Sequence, residues 1–180
     1  MGRRWRYLGL ALATAFCVVP PSSTIGIDRP TVDSETREQL TVAASSLVQF
    51  RSRALVRKVS HDPERVPTEV MGVAIAPRLA RVQERAVRDL ENRNRAPVEG
   101  GPAYTGARTR LADARAVRAG DHITLDAVEK TEIRHEAGKL VQSVRRRFDF
   151  VASGDRIILT GERVLDAEAQ PVNDPDPRSR

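Results

Sequence analysis

The sequence predicts an α+β fold in which N-terminal helices pack on a four-stranded antiparallel, curved meander sheet. Three observations carry this. Between Thr105 and Asp166 four strand-like segments of alternating character are separated by short turns, each marked by one glycine: Gly120, Gly138 and Gly154. Upstream, two stretches repeat apolar residues near the helical period. Between the two halves, Pro97, Gly100, Gly101 and Pro102 mark a linker. Helices followed by an antiparallel sheet with one apolar face bury that face under the helices.

The chain opens with a basic segment, Arg3, Arg4 and Arg6, followed by the largely apolar run Tyr7 to Val19. This is the grammar of an export signal. A membrane-spanning helix needs about 20 apolar residues, and Pro20-Pro21 stops the run short. Arg6 stands where a twin-arginine signal places an apolar residue, which favours ordinary secretion. Cys17 raises a lipid anchor, against which Phe16 stands where a small residue is expected. Residues 1–24 are therefore read as a signal peptide or N-terminal anchor, and the protein as exported, extracellular or associated with a bacterial cell envelope. Cys17 is the only cysteine in 180 residues, so no disulfide staples the domain. The leader's three arginines account for half of the formal net charge of +6, leaving an arginine-rich surface rather than a nucleic-acid footprint. No interleaving of aromatics with Lys and Arg offers a stacking platform for bases.

After a linker at 25–32, a single α+β domain is expected over 33–166. Asp33 or Ser34 can cap a helix whose apolar residues Leu40, Ala43, Ala44, Leu47, Val48, Ala54 and Leu55 share a face. It should end near Val59, before Pro63. A second helix from Pro77 to Asn92 has the stripe Leu79, Val82, Ala86 and Leu90, with Pro77 in its first turn. Glu69 to Ala76 can begin that helix early or form an extended lead-in. The tail, 167–180, has Pro171, Pro175 and Pro177 and no apolar cluster, and is expected to be disordered.

The sheet carries a testable register. A loop at Ala137-Gly138 sets Thr131 opposite Val144, Glu129 opposite Arg146, Ala127 opposite Phe148 and Leu125 opposite Phe150. A loop at Ser153-Gly154 sets Phe150 against Ile157 and Phe148 against Leu159. A loop at Ala119-Gly120 sets Ala116 against Ile123, Ala112 against Ala127 and Arg110 against Glu129. All three turns agree on one apolar face, while Asp126, Lys130, Arg145, Arg147 and Asp149 share the solvated one.

That register singles out Glu129 between Arg110 and Arg146 on the inner face. Buried charges need partners, so the trio reads either as an anion-recognition or acid–base pocket or as an ion-paired cluster at the rim. The remaining chemistry is sparse. His61, His122 and His135 fall at element ends, and His122 and His135 lie at opposite ends of one strand, too far apart to share a metal. No nucleophile elbow or phosphate loop is present. No metal and no cofactor is called for.

The strand texts Arg-Ala-Gly-Asp-x-Ile-Thr-Leu at 118–125, Arg-Arg-Phe-Asp-Phe-Val at 146–151 and Gly-Asp-Arg-Ile-Ile-Leu-Thr at 154–160 follow two helices and a linker containing Tyr104. In this order they resemble the nuclear transport factor 2-like/cystatin-like superfamily, and within it the non-catalytic region that precedes the catalytic domain of secreted bacterial amidase-domain proteins. The resemblance covers roughly 35–170 and rests on loose strand patterns. The chain departs from those proteins in having no catalytic domain after its tail and in carrying Ile157-Ile158 where a Trp often stands, so no amidase activity carries over. The resemblance implies a cone-shaped sheet with a pocket, used for ligand binding, enzyme chemistry or protein association.

The expected function is thus an exported, non-catalytic binding or accessory domain. The alternative is a small isomerase- or hydratase-like pocket enzyme using Glu129 with Arg110 and Arg146. Expected partners are another exported protein or a small ligand, with no nucleic acid and with membrane contact only through the leader. Self-association through the outer face of the sheet is a third route.

Overall fold

A computed structural model describes residues 32–56, 65–93 and 103–175. The leader, the expected helix end at Val59, His61 and most of the linker lie outside the described residues. Helix α1 spans Ser34–Ala54 and helix α2 spans Pro77–Arg93. Strands β1 (Glu69–Val70) and β2 (Val73–Ile75) precede α2, and β3 (Tyr104–Ala119), β4 (His122–His135), β5 (Gly138–Ser153) and β6 (Arg156–Val164) follow it. The α+β expectation holds. The sheet, however, has six strands in the order β1-β2-β6-β5-β4-β3, and it is mixed because β2 runs parallel to β6.

The two additional strands come from the ambiguous segment before α2. Met71 and Gly72 both have left-handed φ, 52° and 78°, the signature of a two-residue hairpin turn whose twist matches its strands. The resulting β1–β2 hairpin docks on the β6 edge, and the Ala76 amide donates to the Leu159 carbonyl at 2.9 Å. A β-turn-β unit of this length leaves too few residues for an early start to α2.

Helix α1 begins at the Asp33 cap, whose carboxylate accepts from the Thr36 amide at 2.8 Å, and ends at Ala54, earlier than expected. Leu40, Ala43, Ala44, Leu47 and Val48 are buried along it. The helix lies across the inner face of the sheet, chiefly against β3. Helix α2 buries Leu79, Ala86, Val87 and Leu90, but Val82 is exposed and Gln83 takes the inward position.

The meander of β3 to β6 is present, with each two-residue loop one residue away from its predicted place. The turns are Gly120-Asp121, Glu136-Ala137 and Gly154-Asp155. Glycine occupies the first turn position in two of them, with φ of 65° at Gly120 and 63° at Gly154, as a II′ hairpin requires. Moving a loop by one residue moves each pair by two, which preserves the faces. Leu125 therefore opposes Phe148 and Ile123 opposes Phe150, all buried on the inner side as the apolar pattern demanded.

Two bulges then reverse parity within strands. On β3 Asp113 and Ala114 together oppose Ala127, with Asp113 at φ 54°. The inward residues of β3 are Ala116 and Ala114 on one side of the bulge, and Leu111, Thr109 and Ala107 on the other. Ala112 and Arg110 accordingly turn outward. On β6 Thr160 is extra between Leu159 and Gly161, so that Glu162 turns inward.

The segment after β6 corrects the expectation of a disordered tail as far as Pro175. Val172, Asn173 and Asp174 are buried. Gln142 on β5 clasps the segment at both ends of its amide, donating to the Gln170 carbonyl and accepting from the Val172 amide, each at 2.9 Å. Residues 176–180 lie outside the described residues.

Candidate functional site

Of the three residues singled out by sequence, the structure brings two together. Glu129 opposes Val144 and Arg146 opposes Ala127, so the pair is diagonal on the inner face rather than directly opposite, a reach that an arginine spans. Arg146 Nε donates to Glu129 Oε2 at 2.6 Å, with side chains 0% and 1% exposed. Arg110 pairs across β3–β4 with Lys130 and is exposed on the opposite face. The β3 bulge is the physical reason: one extra residue at Asp113 carries Arg110 through the sheet plane.

What Arg146 gains instead is a set of groups that the sequence pattern did not flag. Glu162, turned inward by the β6 bulge, lies with its Oε2 3.5 Å from Arg146 Nη1. Arg51 from α1 forms a two-point ion pair with the same carboxylate, its Nη2 donating to Oε2 at 3.2 Å and its Nη1 contacting Oε1. Asp174 from the tail sits 3.4 Å from both arginines. Gln83 of α2 donates to Glu162 Oε1 at 2.8 Å. The inner cluster thus holds two arginines and three carboxylates drawn from α1, β4, β5, β6 and the tail.

A second polar line joins the first at Glu129. Ser52 and Thr109 hydroxyls lie 2.5 Å apart, Thr109 and Thr131 hydroxyls 2.8 Å, and Thr131 donates to Glu129 Oε1 at 3.4 Å. Asn173 Nδ2 donates to Glu129 Oε1 at 2.5 Å and to Ser52 Oγ at 3.0 Å. The tail is therefore held by the same charges that hold the sheet to α1.

Burial by itself would push the Glu162 carboxyl up, but the neighbouring Arg51 and Arg146 guanidinium groups, with hydrogen bonds from Arg51 and Gln83, hold it at about 2. For Arg146, burial works against the charged form, while Glu162, Glu129 and Asp174 outweigh it and hold the guanidinium firmly protonated. Glu162 and Arg146 are therefore both held in their charged forms at neutral pH, where they are poor proton acceptor and donor.

Adjoining the cluster is a partly open cleft of about 470 Å³ between α2, β6 and the tail. Leu79, Val82 and Ala86 give it an apolar wall, Arg51 and Glu162 its charged end, and Arg78 and Arg85 line it as well. Glu129 does not line it. Buried Gln83 Oε1 has no hydrogen-bond partner, leaving one acceptor beside the cleft unmatched. Among the described residues no group of three or more His, Cys, Asp or Glu side chains could hold a metal ion.

Arg51 and Gln83 had a readable signal. Arg51 continues the spacing Leu40, Ala44, Leu47, and Gln83 lies four residues after Leu79 and seven before Leu90, so helical period alone puts both polar residues on buried faces. Glu162 required the bulge, and Asn173 and Asp174 carry no pattern at all.

No protein-family model matches the sequence, and no curated protein matches it. Among solved structures the chain is similar to Bd1075 of Bdellovibrio bacteriovorus, with 12% identity, a TM-score of 0.39 and 72% of this chain covered but only 39% of that one. It is similar to a protein from Catenulispora acidiphila, with 15% identity, a TM-score of 0.40 and coverage of 72% and 86%. The intermembrane space region of chloroplast protein ARC6 gives 14% identity, a TM-score of 0.40 and coverage of 76% and 98%. Likenesses this distant carry no argument, and function has to be argued from the geometry.

Proposed function

We propose that the chain is an exported, non-catalytic binding or accessory domain, built in the manner of the nuclear transport factor 2-like proteins it resembles and acting at a bacterial cell surface or in the secreted space. The observation that carries this is the enclosure of Glu129. Its carboxylate is bonded to Arg146, Asn173 and Thr131, is 1% exposed and does not line the cleft between α2, β6 and the tail, so it serves the packing of sheet, helix and tail. The enzyme alternative rested on Glu129 flanked by two arginines in a pocket. Arg110 on the far face and a carboxylate without an approach take away that support.

The recognition surface on this reading is the cleft between α2, β6 and the tail, where an apolar wall meets a charged end. It suits an exported protein segment or small ligand that combines an aliphatic group with a polar head. A photo-crosslinking residue placed at Val82, on the cleft wall and 53% exposed, should capture a discrete exported partner in intact cells. The same residue at Val42, exposed on α1 and absent from the cleft, serves as the control. Identical adducts from both positions, or none from Val82, would remove the cleft as a recognition surface. Export is tested separately by fusing residues 1–24 to a reporter that is active only outside the cytoplasm.

A further inference from the structure

We propose that the β4–β5 hairpin end of the outer sheet face is a docking surface for an anionic lipid bilayer. This surface lies on the side of the sheet opposite the ionic cluster and does not depend on the cleft.

The outer face divides into two halves by charge. In the half nearer the β3–β4 and β5–β6 turns, three arginines are paired with acids: Arg147 is bonded at two points to Asp126 at 2.5 and 2.6 Å, Arg145 to Asp166 at 2.7 Å, and Arg163 lies 3.5 Å from Asp149, while Arg115 faces the same Asp126 across the ladder. In the half that includes the β4–β5 hairpin end, Arg108 opposes Glu132, Arg110 opposes Lys130, and Arg134 opposes Lys139. Glu132 takes up Arg134 at 3.1 Å and Lys139 at 3.9 Å. Among the described residues Arg110 and Lys130 have no ion-pair or hydrogen-bond partner and Arg108 has only the charge of Glu132 opposite it, and together with Glu132 and Val141 they line a shallow concavity of about 210 Å³. Guanidinium forks beside an ammonium in a concavity suit a phosphate head group.

At the same end Val141 stands on this face at 57% exposure, and Leu140, at 50%, is exposed beside it at the hairpin end but on the opposite side of the strand, paired with inward-facing Ile133. Cations around an exposed Val141, with Leu140 exposed at the edge of the same hairpin end, are the composition of an interfacial membrane contact, where charge draws the surface in and apolar groups enter the head-group boundary. Other occupants fit less well. A two-fold contact with a second copy would set this patch against itself, cation against cation. A hydrated linear polyanion would use the charges and leave the aliphatics without a role. None of the aromatic residues that stack bases lies in the patch.

The test uses the full chain with Cys17→Ser and Ala137→Cys, labelled at the hairpin turn with an environment-sensitive fluorophore. Residues 1–24 are the same in every variant, so any tethering by them is common to all and the label reports whether the tip itself meets lipid. With vesicles of about one-third phosphatidylglycerol in phosphatidylcholine the label should shift to the blue and be quenched by lipid-borne bromine, and Arg108→Glu with Lys130→Glu should lower the quenched fraction roughly tenfold. Lys130→Gln, a milder change, should lower it in the same direction, and circular dichroism confirms that each variant is folded. High salt or pure phosphatidylcholine should abolish the signal, and Val141→Ser should reduce quenching. A label that stays in water, or equal quenching on neutral vesicles, overturns the proposal. So does a shift produced by soluble polyphosphate, or by raising protein concentration alone, without lipid quenching.

Discussion

The two faces of the β3–β5 sheet handle the same residue type in opposite ways. On the inner face Arg146 is wholly buried and surrounded by Glu129, Glu162 and Asp174. On the outer face Arg110, which a simple register would have placed beside Glu129, is exposed and without an ion-pair or hydrogen-bond partner among the described residues. A buried cation is tolerated only when it is paired and hydrogen-bonded, so the inner arginines are committed to holding elements together. An exposed cation contributes little to stability and is free to meet something outside. Charge on this sheet is structural where it is enclosed and available where it is both exposed and unpaired.

The comparison breaks most sharply at Arg146. Arg146→Met keeps much of the volume but leaves Glu129 and Glu162 without their shared cation. The expected loss is about 3–5 kcal/mol of unfolding free energy, measured by urea denaturation. A loss under about 1 kcal/mol would show that the cluster is hydrated and not enclosed.

Acid should act on the same groups. Folding lowers the Glu162 carboxyl from its ordinary 4.5 to about 2. Between those values the folded state binds fewer protons than the unfolded one. The contribution is therefore complete above about pH 4.5 and lost as pH falls towards 2, on the order of 3 kcal/mol across the window. Denaturation midpoints should decline through that range in the native protein, and Glu162→Gln should remove its share of the slope while lowering stability at neutral pH.

Next in size is the tail. Asn173→Ala deletes the donor to Glu129 and Ser52 and should cost about 1–3 kcal/mol. Amide exchange of the Val172 and Asp174 N–H groups should accelerate by more than that of β4, because β4 is held by ladders on both sides and the tail by none.

These magnitudes bear on what was legible in the sequence. The four long strands and their apolar face could be read because period-two alternation is preserved when a loop moves by one residue. Leu125, Phe148 and Phe150 therefore point inward under either register. The bulges could not be read in the same way. A bulge needs only one residue willing to adopt an unusual backbone, and an Asp such as Asp113 tolerates left-handed φ without announcing it. That single residue decided that Arg110 left the site, and Thr160 decided that Glu162 joined it. The β1–β2 hairpin was hidden because strands of two and three residues carry too short a pattern, although Gly72 marked its turn. The tail was misread for a different reason: it is held mainly by Asn173, Asp174 and the Gln142 clasp, and polar docking leaves no hydrophobic signature. Only Arg51 and Gln83 sat at spacings that helical period could have exposed.

The smallest expected effect is the one that sharpens the comparison from the outer side. Arg110→Glu reverses a charge of the same kind that is indispensable at Arg146, in a strand paired with β4 over most of its length. Because the side chain is exposed and has no ion-pair or hydrogen-bond partner among the described residues, there is no desolvated partner to strand and no cavity to open, and the stability change should stay within about 0.5 kcal/mol. The new carboxylate faces Lys130 across the ladder, which if anything favours the variant. A loss of several kcal/mol on urea denaturation would mean that Arg110 is held inward and that the bulge at Asp113 does not reverse the strand. Stability near that of the native protein, alongside a collapse at Arg146→Met, would show that one extra residue in β3 separates an arginine that holds the fold from one left free to bind.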